Sequence, residues 1–161
     1  MTTDATMQQF FESPAFAVVG ASTDPSKFGH KVFSWYANHN LPATPINPRA
    51  PSIAVEAKEF PTAPTLTALP SPKSTSVSFI TPPAVTIKAL QEAKSLGVPA
   101  VWLQPGAYDD AALAFAREEG NFKAVVAGTE GPTLGAKGWC ILADGERGLK
   151  AVGKLALEER L

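Results

Sequence analysis

The apolar run Phe16-Ala17-Val18-Val19 stops at Gly20 and gives way within a few residues to helix-start chemistry. β-branched residues ended by a glycine read as a buried strand and its turn. Asp24 is placed as an N-cap and Pro25 at the first helical position, where its missing N–H costs nothing. The helix that follows is expected to bury Val32, Phe33, Trp35 and Tyr36 and to run to about His39, with Asn40 at its C-terminal end. A strand, a small-residue turn and a helix N-terminus together make an anion site, because unpaired backbone N–H groups and the positive helix end face the turn. Ser22, Ser26 and Lys27 add side-chain donors, so a phosphate-bearing ligand and a phosphate-binding loop are the first expectation. The glycine spacing is neither G-x-G-x-x-G nor G-x-x-x-x-G-K-[ST].

The same alternation continues along the chain. Met7 to Glu12 is expected to form a short helix carrying Phe10 and Phe11. Ala43 to Asn47 is a second strand, closed by Asn47-Pro48-Arg49. A Pro-rich excursion runs from Ala50 to Pro72, with an edge strand at Ile53 to Ala57 and a helical turn at Thr65 to Leu69. Ser76 to Thr81 is a third strand ended by Pro82-Pro83. A helix from Ala84 to Leu96 carries Val85, Ile87, Ala89, Leu90 and Ala93 as apolar positions, and Gly97 caps it. Ala100 to Leu103 is a fourth strand, a helix starts at Asp109 or Asp110 and runs to about Glu119, and Lys123 to Ala127 is a fifth strand. Gly145-Glu146-Arg147-Gly148 is expected to be a turn before a last helix, Leu149 to Glu159, that covers the sheet or contributes to a homodimer. Strands alternating with helices specify an α/β fold with a mostly parallel sheet of about five strands.

At 161 residues, 45% hydrophobic and 18% charged, the chain suits one compact domain with a substantial core. A formal net charge of −1 does not provide the basic face of a general nucleic-acid binder, so no nucleic-acid partner is expected. No apolar run has the length of a membrane span. Met1 to Pro14 lacks the features of a secretory or mitochondrial leader, and a single cysteine, Cys140, leaves no intrachain disulfide, so a cytoplasmic location is expected.

In a parallel sheet, ligands bind beyond the strand C-termini. Four stretches should meet there: Gly20-Ala21-Ser22, Asn47-Pro48-Arg49, Thr81-Pro82-Pro83 and Gln104-Pro105-Gly106. Sheets that bind NAD usually place Asp or Glu after the second strand to hold the ribose hydroxyls. This chain has Asn47 and then Arg49, and an arginine there suits the ribose phosphate of NADP or of coenzyme A.

On these residues the chain resembles the small CoA-binding proteins with a Rossmann-like domain, similar to the N-terminal domain of the succinyl-CoA synthetase alpha subunit. The matching motifs are Val19-Gly20-Ala21-Ser22 with Asp24-Pro25-Ser26-Lys27-Phe28-Gly29, then Ile46-Asn47-Pro48-Arg49, Thr81-Pro82-Pro83, and Val101-Trp102-Leu103-Gln104-Pro105-Gly106-Ala107. The resemblance implies a doubly wound, three-layer Rossmann-like sandwich and coenzyme A as ligand. It implies that Gly20, Ala21, Ser22 and Lys27 lie at the pyrophosphate end, with Phe28 of the same motif also in contact with the ligand. Asn47, Pro48 and Arg49 would flank the adenosine ribose and its phosphate, Thr81, Pro82 and Pro83 would form an apolar wall, and Gln104 belongs to the fourth motif. In the synthetase a phosphorylated histidine in a separate domain carries the chemistry. This chain has only His30 and His39, both in the first long helix, so a complete ligase is not expected.

Cys140 is the only candidate nucleophile, and no sequence argument places a base beside it, so a buried, inert thiol is expected. His30 and His39 have no Cys or carboxylate cluster that would complete a metal site. Trp35, Trp102 and Trp139 read as core, with Trp102 on a strand close to the cleft; Thr129-Glu130-Gly131-Pro132 receives no role. The leading reading is a non-catalytic binder of CoA or an acyl-CoA, acting as carrier, sensor or enzyme partner. The alternatives are an NADP-dependent or NAD-dependent oxidoreductase and an acyl-CoA enzyme using Cys140.

Overall fold

The computed structural model describes residues 1–155. The elements are α1 (Asp4–Phe11), β1 (Ala15–Val19), α2 (Phe28–Asn38), β2 (Ala43–Ile46), β3 (Ser52–Val55), β4 (Lys58–Pro61), β5 (Thr75–Phe79), α3 (Pro83–Leu96), β6 (Ala100–Leu103), α4 (Asp110–Arg117), β7 (Ala124–Val126) and α5 (Ile141–Ala151). Two 3-10 turns, Leu66–Ala68 and Pro72–Ser74, lie between β4 and β5. The main sheet has the order β2-β1-β5-β6-β7, and every pairing in it is parallel. Beyond β2, Ala63 makes an isolated parallel bridge to Ile46. Counting that bridge as a vestigial outer strand, the order is that of a Rossmann-like sheet whose third strand has shrunk to one residue.

Both faces of the sheet are covered, so its strands are apolar throughout. On β1, Phe16 and Val18 join one core with α1, α2 and α5, while Ala17 and Val19 join a second core with α3 and α4. Trp102 of β6 belongs to the first core and Val101 and Leu103 to the second. Two buried serines on β5 interrupt the apolar pattern and are satisfied. Ser76 Oγ donates to the Phe10 carbonyl at 2.7 Å, and Ser78 Oγ shares a 2.7 Å hydrogen bond with the Tyr36 hydroxyl. Burial pushes the Tyr36 phenol far above its ordinary value, against the opposing pull of Ser78. Trp35, Trp102 and Trp139 are all core residues, and Trp102 Nε1 donates to the Trp139 carbonyl at 3.1 Å. Among the described residues no helix is long and apolar enough to cross a membrane.

Three expectations from the sequence are corrected here. Helix α2 starts at Phe28, not at Pro25, because the Asp24 carboxylate accepts from the Ser26 N–H and hydroxyl and so caps a separate turn. The segment at Ile53 is not an edge strand of the main sheet. It pairs antiparallel with β4, and the hairpin lies over α2 with the Phe33 and Phe60 rings 5.2 Å apart. Its two turn residues, Glu56 and Ala57, both have positive φ (48° and 65°), and without the Asn-Gly that usually marks such a turn the hairpin has no sequence signal.

Gly145 to Gly148 is the third correction. These residues lie inside α5, and the helix ends at Ala151; Leu157 and Glu159, assigned to a later helix, lie outside the described residues. The glycines serve packing rather than turning. A Cβ on Gly145 would strike the Trp35 ring, and one on Gly148 would sit 2.6 Å from Phe11 Cδ2. The segment before α5 is held by Asp144, which is fully buried and accepts from Thr133 Oγ1 (2.7 Å), Leu134 N (2.7 Å) and Cys140 N (3.1 Å). Arg147 Nη1 pairs with the same carboxylate at 3.4 Å.

Alanine at Gly148 should therefore destabilise the fold. The clash with Phe11 costs about 1–3 kcal/mol, which outweighs the roughly 1 kcal/mol that Ala gains over Gly in a helix. The expected readout is a lower urea midpoint for Gly148→Ala than for wild type. Tyr36 makes a second prediction. Its raised folded-state value means that its stabilising contribution is complete below the ordinary tyrosine value, about 10, and is lost as pH rises beyond it. Urea midpoints measured from pH 9 upward should fall more steeply for wild type than for Tyr36→Phe.

Candidate functional site

The connection from β1 leaves toward the face that holds α2, and the connection from β5 leaves toward the face that holds α3. Adjacent parallel strands whose crossovers diverge open a crevice beyond their C-terminal ends. Two glycines let the chain close on it. Gly20 has φ +96°, and a Cβ there would lie 3.1 Å from Ile80 C and Thr81 Cγ2. A Cβ on Gly29 would run into the Gly20 carbonyl oxygen. The first turn of α2 is thereby seated directly on the turn that ends β1.

Helix capping differs around the molecule. Thr3 caps α1, Asp109 caps α4 by accepting from Ala112 N at 2.9 Å, and Gln104 Oε1 accepts from Ile141 N of α5 at 3.0 Å. Helices α2 and α3, whose N-cap residues are Lys27 and Pro82 beside the crevice, have no side-chain cap. The dipole end of α2 and its first N–H groups are left for solvent or an anion, whereas α3 opens on Pro82-Pro83, which carry no N–H, and its Val85 N–H already donates to the Pro82 carbonyl at 2.9 Å, so α3 offers its dipole end and the Ala84 N–H.

The crevice holds two adjoining clefts that share Thr81 and Pro82. The larger, about 600 Å³, is lined by Gly20, Ala21, Asn47, Pro48 and Arg49 from the ends of β1 and β2. The smaller, about 410 Å³, is lined by Phe28, Pro83, Pro105, Gly106 and Ala107. Ser22 is half-buried beside Ala21, where its Oγ accepts from Asp24 N at 3.1 Å, and Lys27 is exposed at the start of α2. The two bonds from Ser26 hold the Asp24 carboxyl below its ordinary value. Gln104 lies behind the clefts, fully buried, with Nε2 donating to Cys140 Sγ at 3.3 Å.

Asn47 acts as a clamp. Its Nδ2 donates to the Ala21 carbonyl at 3.0 Å, and its Oδ1 accepts from the N–H groups of Arg49 (2.8 Å) and Ala50 (3.0 Å). One side chain therefore ties the β1 turn to the β2 turn and shapes the backbone that presents Arg49. Thr81 Oγ1 is engaged with Thr86 Oγ1 at 2.7 Å. Neither Arg49 nor Lys88 makes an ion pair with any described residue.

Sequence reasoning missed the far wall of the larger cleft. It comprises Pro64, Thr65 and Leu66 from the Pro-rich excursion and Val85, Lys88, Ala89 and Glu92 from α3. The helical part had a signal. Positions 85, 88, 89 and 92 form one helical stripe beside the buried stripe of Thr86, Leu90 and Ala93. Val85 is 49% exposed, as Phe28 is at 46%, so each cleft shows one uncovered large apolar side chain.

The histidines and the cysteine are occupied elsewhere. His30 Nε2 donates to the Ala54 carbonyl at 2.8 Å, which fastens α2 to the hairpin, and His39 lies 3.1 Å from Glu146. Cys140 is half-buried rather than buried, at the position before α5.

Residues 14–128 match the model of the family described as CoA binding domain. No curated protein matches the chain. Among solved structures, a conserved hypothetical protein from Pyrococcus furiosus is 26% identical, with a TM-score of 0.61 over 71% of this chain and 94% of that one. A Thermus thermophilus protein is 25% identical, with a TM-score of 0.62 over 78% of this chain and 91% of that one. Prb, a protein redesigned for binding, shares the fold at a TM-score of 0.70 over 98% of this chain and 97% of that one, with 21% identity. NADP, the other ligand that Arg49 admits, finds no support in these matches.

The clamp role of Asn47 predicts a graded series. Asn47→Asp keeps the acceptor for Arg49 and Ala50, loses the donor to Ala21 and turns a carboxylate oxygen toward that carbonyl, for a cost of about 1–2 kcal/mol. Asn47→Ala loses all three bonds and should cost about 2–3 kcal/mol. Chemical denaturation of the two variants tests the order.

Proposed function

The chain belongs to the CoA-binding domain family, and on that basis we propose that it holds coenzyme A or an acyl-CoA across the two clefts, as a carrier, sensor or enzyme partner. The observation that carries this reading is a crevice that joins the uncapped start of α2, at the smaller cleft, to a larger cleft with two cations that make no ion pair among the described residues, Arg49 and Lys88.

The pyrophosphate lies against Gly20, Ala21 and Ser22 and the first turn of α2, with Lys27 adding charge. A helix start whose N–H groups lack partners stabilises an anion through both hydrogen bonding and the macrodipole. The adenosine occupies the larger cleft, and Arg49 and Lys88 face its 3′-phosphate. Guanidinium suits phosphate because its fixed donors match the anion's geometry. The pantetheine arm passes Thr81, Pro82 and Pro83 and covers Phe28 in the smaller cleft. The apolar lining there suits an uncharged chain, and covering Phe28 and Val85 removes apolar surface from water.

Calorimetric titration with CoA and with dephospho-CoA, on wild type and Arg49→Ala, tests this reading. Wild type should bind CoA about tenfold or more tightly than dephospho-CoA, the scale of one charge-assisted contact. Arg49→Ala should weaken CoA by a similar factor and leave dephospho-CoA nearly unchanged. No CoA binding by wild type would overturn the proposal.

A further inference from the structure

Glu92 is out of place in a cleft that receives a polyanion. It is half-buried on α3, one turn beyond Lys88, and it lines the larger cleft together with Leu66, Val85 and Ala89. Its Oε1 is fixed, accepting from the Leu66 N–H at 3.1 Å. Its Oε2 accepts from no described residue, and no lysine or arginine among them pairs with it. A ligand that covers the cleft takes water away from Oε2, which costs free energy unless the ligand itself supplies a hydrogen-bond donor. The surrounding Ile46, Pro64, Leu66 and Ala89 suit a flat apolar ring, and on a purine the donor that reaches past such walls is the exocyclic 6-amino group.

We propose that Glu92 is the residue that selects a 6-aminopurine over a 6-oxopurine at this site, its Oε2 accepting from the amine while its Oε1 stays on Leu66. The proposal rests on the CoA reading above. A 6-oxopurine presents an acceptor at that position, so two lone pairs would face each other and Oε2 would lose its partner. Sites built to hydrogen-bond one ligand group reject the analogue that lacks it more strongly than apolar pockets reject a missing methylene.

The test compares CoA with deamino-CoA, in which hypoxanthine replaces adenine, by calorimetry on wild type and Glu92→Gln. Wild type should prefer CoA by about tenfold or more. In Glu92→Gln the amide oxygen can keep the Leu66 N–H, which turns the NH2 toward the base. That variant should lose the preference or reverse it, while its urea midpoint stays at the wild-type value. If Glu92 only caps the 3-10 turn at Leu66, the two ligands will keep the same affinity ratio in both proteins, and that result overturns the inference while CoA binding stands. If wild type binds neither ligand, the CoA reading falls and the inference falls with it.

Discussion

The site depends on a contact that has no side chain on either partner. Gly29 at the start of α2 rests on the carbonyl of Gly20, the residue that follows β1, and Gly20 in turn lies against Ile80 and Thr81. A methyl group at either position would push the helix off the turn or the turn off β5. With both absent, the positive end of α2 reaches the boundary where the crossovers diverge, and the second uncapped helix, α3, begins on the opposite side of it. Helix-end electrostatics decay within about a turn, so only such close approach brings the dipole of α2 to the crevice.

The polar side chains around the clefts divide by how they are committed. Asn47 uses both ends of its amide on backbone, and Thr81 turns its hydroxyl toward Thr86. These residues build the walls. The side chains of Arg49 and Lys88 make no hydrogen bond or ion pair with a described residue, and Glu92 uses only one of its two oxygens there. A group that the fold has left free is available to a ligand, whereas a fully bonded group would have to break a bond first. Position in a motif therefore does not by itself assign a binding role. Asn47 stands in the expected motif and still serves mainly to present its neighbour.

The C-terminal segment follows another constraint. Helix α5 returns to the α2 face, where bulky aromatic side chains already fill the core. It fits only because Gly145 and Gly148 leave room for Trp35 and Phe11. Buried Asp144 gathers the preceding loop through backbone and side-chain donors, and Arg147 balances its charge. Glycines that look like turn formers in one dimension are packing residues here.

The sequence by itself determined the parallel sheet and the set of loops at its C-terminal edge. Apolar strands ended by Gly20, Asn47, Thr81 and Gln104 carry that information locally, since both covered faces must be apolar and strand ends must turn. It also marked β6, the αL cap at Gly97 and the buried face of α2. Only the tertiary structure decided where α2 begins, because the Asp24 carboxylate is captured by Ser26 rather than by a helix turn. Only it revealed the β3–β4 hairpin, whose turn residues are not typical of their backbone conformation, and set the α3 stripe that carries Lys88 and Glu92 against the cleft. Those features depend on which groups meet across distant parts of the chain, and a local pattern of residue types does not encode such meetings.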